Sequence, residues 1–186
     1  KLDGSRLMIA LCDGMGSGEN AEKISETAIG LIESFFRAGF DSSLVLRSVN
    51  RFLSLNSHDG FSAIDIAVVD LNTAKADIIK LSTPATYVKR KDCIQKIEGG
   101  GLPLGAVETV SPSVTTIDLS SGDMLVMATD GVADSFEGDK LAAAVNNLRT
   151  VNPQLMAQSI LEHTLANSGG KPRDDSTVIA AKIINV

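Results

Sequence analysis

The chain has 186 residues, enough for one domain with a core that is stable on its own. Its 44% hydrophobic and 22% charged residues are ordinary for a globular protein, while 4% aromatics and no Trp leave no platform for stacking single-stranded bases. A formal charge of −6 repels polyanions, so nucleic acid is excluded as a partner.

In chain order, "SRLMIALCD" predicts a buried strand over 5–12 that ends at Asp13-Gly14. From 19 to 38 the period becomes helical, with Ile24, Ala28, Leu31, Ile32, Phe35 and Phe36 on one side and Gly39 as the stop. Asp41 or Ser42 is placed to cap a second helix over 43–55. Strands follow at 61–71 and 76–82, then a hairpin of "ATYVKR" and "CIQKIE" turning at Lys91-Asp92. "KRK" at 89–91 reads as a solvated turn. "GGGLPLG" at 99–105 is a loop, either a flap or a long turn. "SVTTIDL" and "DMLVMATD" predict a third hairpin around "SSGD"; helices at 139–148 and 153–167 and the strand "STVIAAKIINV" complete the chain. Hairpins in series with helix pairs set apart argue for α+β in a single domain, 1–186.

No apolar run approaches the ~20 residues that cross a bilayer, and no leader pattern opens the sequence. Cys12 and Cys93 have no zinc spacing, and Cys12 in "LMIALC" reads as a buried, inert thiol. The segment is therefore expected to be cytoplasmic, without membrane contact of its own.

"DGMGSG" at 13–18 invites a phosphate-cradle reading, but its grammar fails. Glu19 follows Gly18 where a P-loop needs Lys, and the spacing G-x-G-x-G is not a dinucleotide fingerprint. The alternative centres on Asp13. Asp130-Gly131 ends another apolar strand, and Asp174-Asp175 precedes the last one. Singly, each is more often a turn or cap residue. Gathered at strand ends, three such acids would repel one another unless hard cations such as Mg²⁺ or Mn²⁺ lay among them. Gly14 would let its carbonyl approach such an ion.

These residues, with "FSAIDIAVVD" at 61–70, "STPATYVKR" at 82–90, "LPLG" at 102–105, "SSGDMLVMATDGV" at 120–132 and "DDSTV" at 174–178, stand in the order of a known family. The chain resembles the metal-dependent, type 2C protein phosphatases, in the branch of stage II sporulation protein E. The resemblance implies a four-layer α-β-β-α sandwich with two antiparallel sheets and two Mn²⁺ or Mg²⁺ ions. It assigns Asp13 to bridge the ions, the Gly14 carbonyl to ligate, and Asp130 and Asp174 to hold one ion, with Asp175 in support. It implies hydrolysis of phosphoserine on a protein of the anti-sigma-factor-antagonist type, in a bacterial sporulation or stress circuit. The alternative is a non-catalytic partner-binding domain of the same fold.

Family members carry one more Asp on an earlier strand. Asp3 in "KLDGSR" reads as a turn instead, so the domain is expected to lack its N-terminal strand, with weakened metal binding and activity. Attachment to a membrane-anchored protein follows from the same resemblance, and a homodimer is left open. His163 is expected to be partly buried on its helix, His58 lies in a loop, and Arg173 is expected to pair with neighbouring acids.

Overall fold

The structure is a computed structural model that describes residues 1–16, 18–56 and 60–184. Two compact units share the chain: residues 1–83 with 99–118, and residues 84–98 with 119–186. Each has one antiparallel four-stranded sheet with helices, so the α+β expectation holds.

In the first unit the sheet order is β1 (Arg6–Gly14), β2 (Ser62–Asp70), β3 (Lys75–Leu81), β6 (Ser113–Asp118). The period-2 pattern of β2 and β3 turns Ile64, Ile66, Ile79 and Leu81 toward α1 (Glu19–Arg37) and α2 (Ser42–Asn56), where all four are buried. From α1, Ile24, Ala28, Ile32 and Phe36 recur every fourth residue and fill the same core. Each large side chain among them contributes roughly 1.5–3 kcal/mol of burial. Glu19 and Glu22 in the first turn of α1 and Arg37 in the last oppose its dipole favourably. The Asp41 carboxylate accepts the Leu44 N–H at 3.0 Å, which is the expected cap of α2.

The second unit orders its strands β5 (Ile94–Ile97), β4 (Thr86–Lys89), β7 (Met124–Ala128), β8 (Val178–Lys182). Its helices are α3 (Asp130–Ala133), α4 (Lys140–Asn147) and α5 (Pro153–Asn167). Tyr87, Met124, Val126 and Ala128 pack with Val132, Leu141, Val145, Met156 and Ile160. Asn152 caps α5 by accepting from Gln154 and Leu155, and Pro153 fixes the first helical φ.

Three expectations are corrected. The strands flanking "SSGD" form no hairpin, since β6 pairs with β3 and β7 lies between β4 and β8. All five β7 residues are buried, which a central strand covered on both faces requires, whereas β6 alternates like an edge strand. The turn itself is tied to the end of β8, with Gly122 N–H donating to Ile183 O and Ile183 N–H to Asp123 O, both at 2.9 Å. His163 is exposed, and its Nδ1 lies 2.7 Å from the Ser159 carbonyl. Arg173 forms no ion pair among the described residues. The reading of His58 lies outside the described residues. No described helix is long and apolar enough to cross a membrane.

Candidate metal centre

Asp13 and Gly14 are the last residues of β1, opposite Ala63 and Ser62. Buried Ser62 anchors this end. Its hydroxyl donates to the Asp13 carbonyl at 3.1 Å, and its backbone exchanges hydrogen bonds with Leu104, at 3.0 and 2.8 Å. Ser62 thus directs its N–H and C=O away from β1, and by antiparallel alternation the Gly14 carbonyl stands outside the β1–β2 ladder. Gly14 is also pressed against α1: a Cβ here would lie 2.2 Å from the Ala21 carbonyl oxygen and 2.6 Å from Ser25 Oγ. Only glycine fits at this position.

Asp130 and Asp174 are brought together in the second unit by Thr129. The Thr129 hydroxyl donates to the Asp175 carbonyl at 3.1 Å and accepts the Thr177 N–H at 3.0 Å, while the Thr129 N–H reaches the Thr177 carbonyl at 3.1 Å. Gly131 closes the junction, since a Cβ there would fall 2.4 Å from the Asp175 carbonyl oxygen and 3.1 Å from the Asp174 carbonyl carbon. Each acid is oriented by the next backbone N–H: Gly131 to Asp130 Oδ1 and Asp175 to Asp174 Oδ1, both at 2.8 Å. Both acids are exposed. Asp175 contributes to the junction through its main chain.

Among the described residues, no group of three or more His, Cys, Asp or Glu stands ready to hold a metal ion. The donors each unit offers are nonetheless oxygens alone, carboxylates and one carbonyl outside the ladder, which is the chemistry Mg²⁺ and Mn²⁺ select. Asp3 is held in a turn, as expected. Its carboxylate accepts from Ser5 N–H, Arg6 N–H and Arg6 Nε at 2.7–2.8 Å, and the Arg6 guanidinium holds it well below the usual carboxylate range. Cys12 is half-buried, and burial pushes its thiol up to about 12, so it is no nucleophile.

The sequence reading missed Ser62 and Thr129. Both are small hydroxyl residues at strand ends, and nothing in their local pattern separates them from ordinary turn residues. Only the register and the 46-residue separation between Thr129 and Asp175 reveal their part.

The family model of stage II sporulation protein E (SpoIIE) matches residues 3–184. The chain is 31% identical to stage II sporulation protein E of Priestia megaterium, over 98% of this chain and 32% of that protein. It is 25% identical to the phosphoserine phosphatase RsbU of Bacillus subtilis (strain 168), over 97% of this chain and 56% of that one. Among solved structures it superposes on the PP2C phosphatase domain with a regulatory-domain fragment of SpoIIE from Bacillus subtilis. That match has a TM-score of 0.90 and 28% identity, and covers 98% of this chain and 56% of the other. The chain thus spans about a third of its first curated relative and just over half of the second.

Proposed function

Because the chain belongs to the stage II sporulation protein E family, we propose that it is the catalytic portion of a divalent-metal-dependent protein phosphatase acting on phosphoserine. The observation that carries this reading is the Thr129 junction, which seats Asp130 beside Asp174 with one oxygen of each already oriented. Asp13 and Asp130 with Asp174 are the carboxylates we assign to two Mn²⁺ or Mg²⁺ ions, and the Gly14 carbonyl is a further donor. Bound ions of this kind supply an activated water and offset charge on the phosphoryl oxygens. The chain's own part is to hold its acids oriented. Ser62 fixes the backbone at Asp13, and Thr129 fixes it at Asp174-Asp175. In the net reaction an O–P bond forms to water, the serine O–P bond breaks, and the serine oxygen takes a proton.

The proposed substrate is a phosphorylated protein of the anti-sigma-factor-antagonist type. Support comes from the sporulation and RsbU relatives and from the acidic chain, which disfavours nucleic acid. Calorimetric titration with Mn²⁺ tests the assignment on the chain, Asp13→Asn and Asp130→Asn, followed by phosphate release from a phosphoserine peptide. Saturable binding and hydrolysis lost in both variants is the expected result. Hydrolysis that survives Asp130→Asn, or that needs no divalent ion, overturns it.

A further inference from the structure

Asn50 stands in the middle of α2, where an asparagine is a poor helix former, and it is 1% exposed. A buried carboxamide persists only when its donors and its acceptor are met. Its three partners lie 55 to 58 residues along the chain, just beyond the glycine run. Nδ2 donates to the carbonyls of Val107 and Glu108 at 2.9 and 3.2 Å, and Oδ1 accepts the Gly105 N–H at 2.9 Å.

The segment lies close against α2. Gly105 has a φ of +89°, and a Cβ there would fall 2.5 Å from the Gly60 carbonyl oxygen and 3.2 Å from Leu53 Cβ, so this path admits glycine alone. Leu104, fully buried, exchanges two backbone hydrogen bonds with Ser62, whose hydroxyl reaches the Asp13 carbonyl at 3.1 Å. The contacts form one unbroken path within the first unit, from Asn50 through Gly105 and Leu104 to Ser62 and the end of β1.

We propose that Asn50 is a positioning residue for Asp13. Its carboxamide clamps residues 105–108 onto α2, which keeps Leu104 on Ser62 and so holds the Asp13–Gly14 backbone in place. The proposal rests on the assignment of Asp13 to a metal ion, whereas the clamp itself is read without one. An asparagine that only completes the core would act on stability everywhere; a clamp acts on one end of the sheet.

Amide hydrogen exchange of the metal-free chain reads the clamp directly. In the parent, Gly105, Leu104 and Ser62 are expected to exchange slowly and together, as one local unit. Exchange of the three at the rate of an exposed loop overturns the clamp before any variant is made. Asn50→Ala should speed them roughly tenfold beyond Ile66 and Ile79 in the middle of the same sheet. Leu46→Ala is the control, since it opens a hole one turn away on α2 and should speed all five amides alike. Calorimetry then gives the Mn²⁺ affinity. It should fall roughly three- to tenfold in Asn50→Ala, less than for a group bonded to a ligand's own side chain, and hold in Leu46→Ala. Equal loss in both variants, or unchanged affinity in Asn50→Ala despite faster exchange at Leu104 and Ser62, overturns the positioning role. A parent that binds no Mn²⁺ overturns the metal assignment, and the positioning role with it, whatever the exchange pattern. Uniform exchange in Asn50→Ala, with Mn²⁺ bound by the parent, overturns the clamp alone.

Discussion

Replacing Lys80 by Met keeps the length of the side chain and removes its ammonium. Lys80 is 1% exposed and Asp65 0%, they face each other in the β2–β3 register, and Lys80 Nζ donates to Asp65 Oδ2. Burial draws the Lys80 ammonium below the ordinary lysine value while Asp65 draws it back up, so each charge is held in place by the other. Removing one member of such a pair leaves the other charge buried and costs about 3–5 kcal/mol. Against a total stability of roughly 5–15 kcal/mol, that is a large share, and it corresponds to a fall in Tm of roughly 6–20 °C for a chain of this size. The double variant Asp65→Leu/Lys80→Met removes both charges and should recover most of the loss. Urea denaturation followed by circular dichroism measures all three chains, with the slope m as the check on two-state behaviour. A loss below about 1 kcal/mol in Lys80→Met, the worth of an exposed pair, would falsify the reasoning.

The Gly131 junction and the two thiols give three further outcomes. Gly131→Ala places a methyl group 2.4 Å from the Asp175 carbonyl oxygen, so the Asp174-Asp175 backbone must retreat. A destabilisation of roughly 1–3 kcal/mol with loss of Mn²⁺ binding is expected by thermal denaturation and calorimetry, and retention of full binding would show that the junction holds no ion. Iodoacetamide at pH 8 should modify exposed Cys93 and spare Cys12 until urea opens the fold. The folded Cys12 thiol titrates at about 12 against an ordinary 9.0, so between those values the folded chain holds the extra proton and stability falls as pH rises. Stability that rises between pH 9 and 10 in the parent relative to Cys12→Ala would contradict that sign.

Local grammar carried much of this fold. The four-residue recurrence of Ile24, Ala28, Ile32 and Phe36 marked α1, and the strand-then-Asp-Gly pattern marked both acidic strand ends. What escaped was non-local. "SSGD" is good turn chemistry in either arrangement, and only the full burial of β7 shows that the chain changes sheets there. The four residues of α3 are too few to show a period. Nothing in "ADIIKLS" itself marks Lys80 as buried, because its partner, Asp65, lies on another strand. Gly99, part of an ambiguous glycine run, turns out to clear space for that lysine, since a Cβ there would meet Lys80 Cβ at 2.4 Å.

The exchange between sheets also shapes how the polypeptide is made. The chain leaves the first unit after Thr83, returns at Gly99 and leaves again after Asp118. During N-to-C synthesis the β4–β5 hairpin therefore emerges before β6 has closed the first sheet, and it must wait for β7 to gain its neighbour. A lone two-stranded hairpin is marginal in water, so its exposed strand edge is an early point of misassembly. Pairings this distant in sequence make for slow folding. The first sheet can be finished by residue 118, whereas the second is completed only when β8 arrives. The Thr129 junction, which depends on Thr177 and Asp175, is accordingly among the last features to form. A chain interrupted in synthesis would carry Asp13 on a formed sheet with Asp130 present but unpartnered.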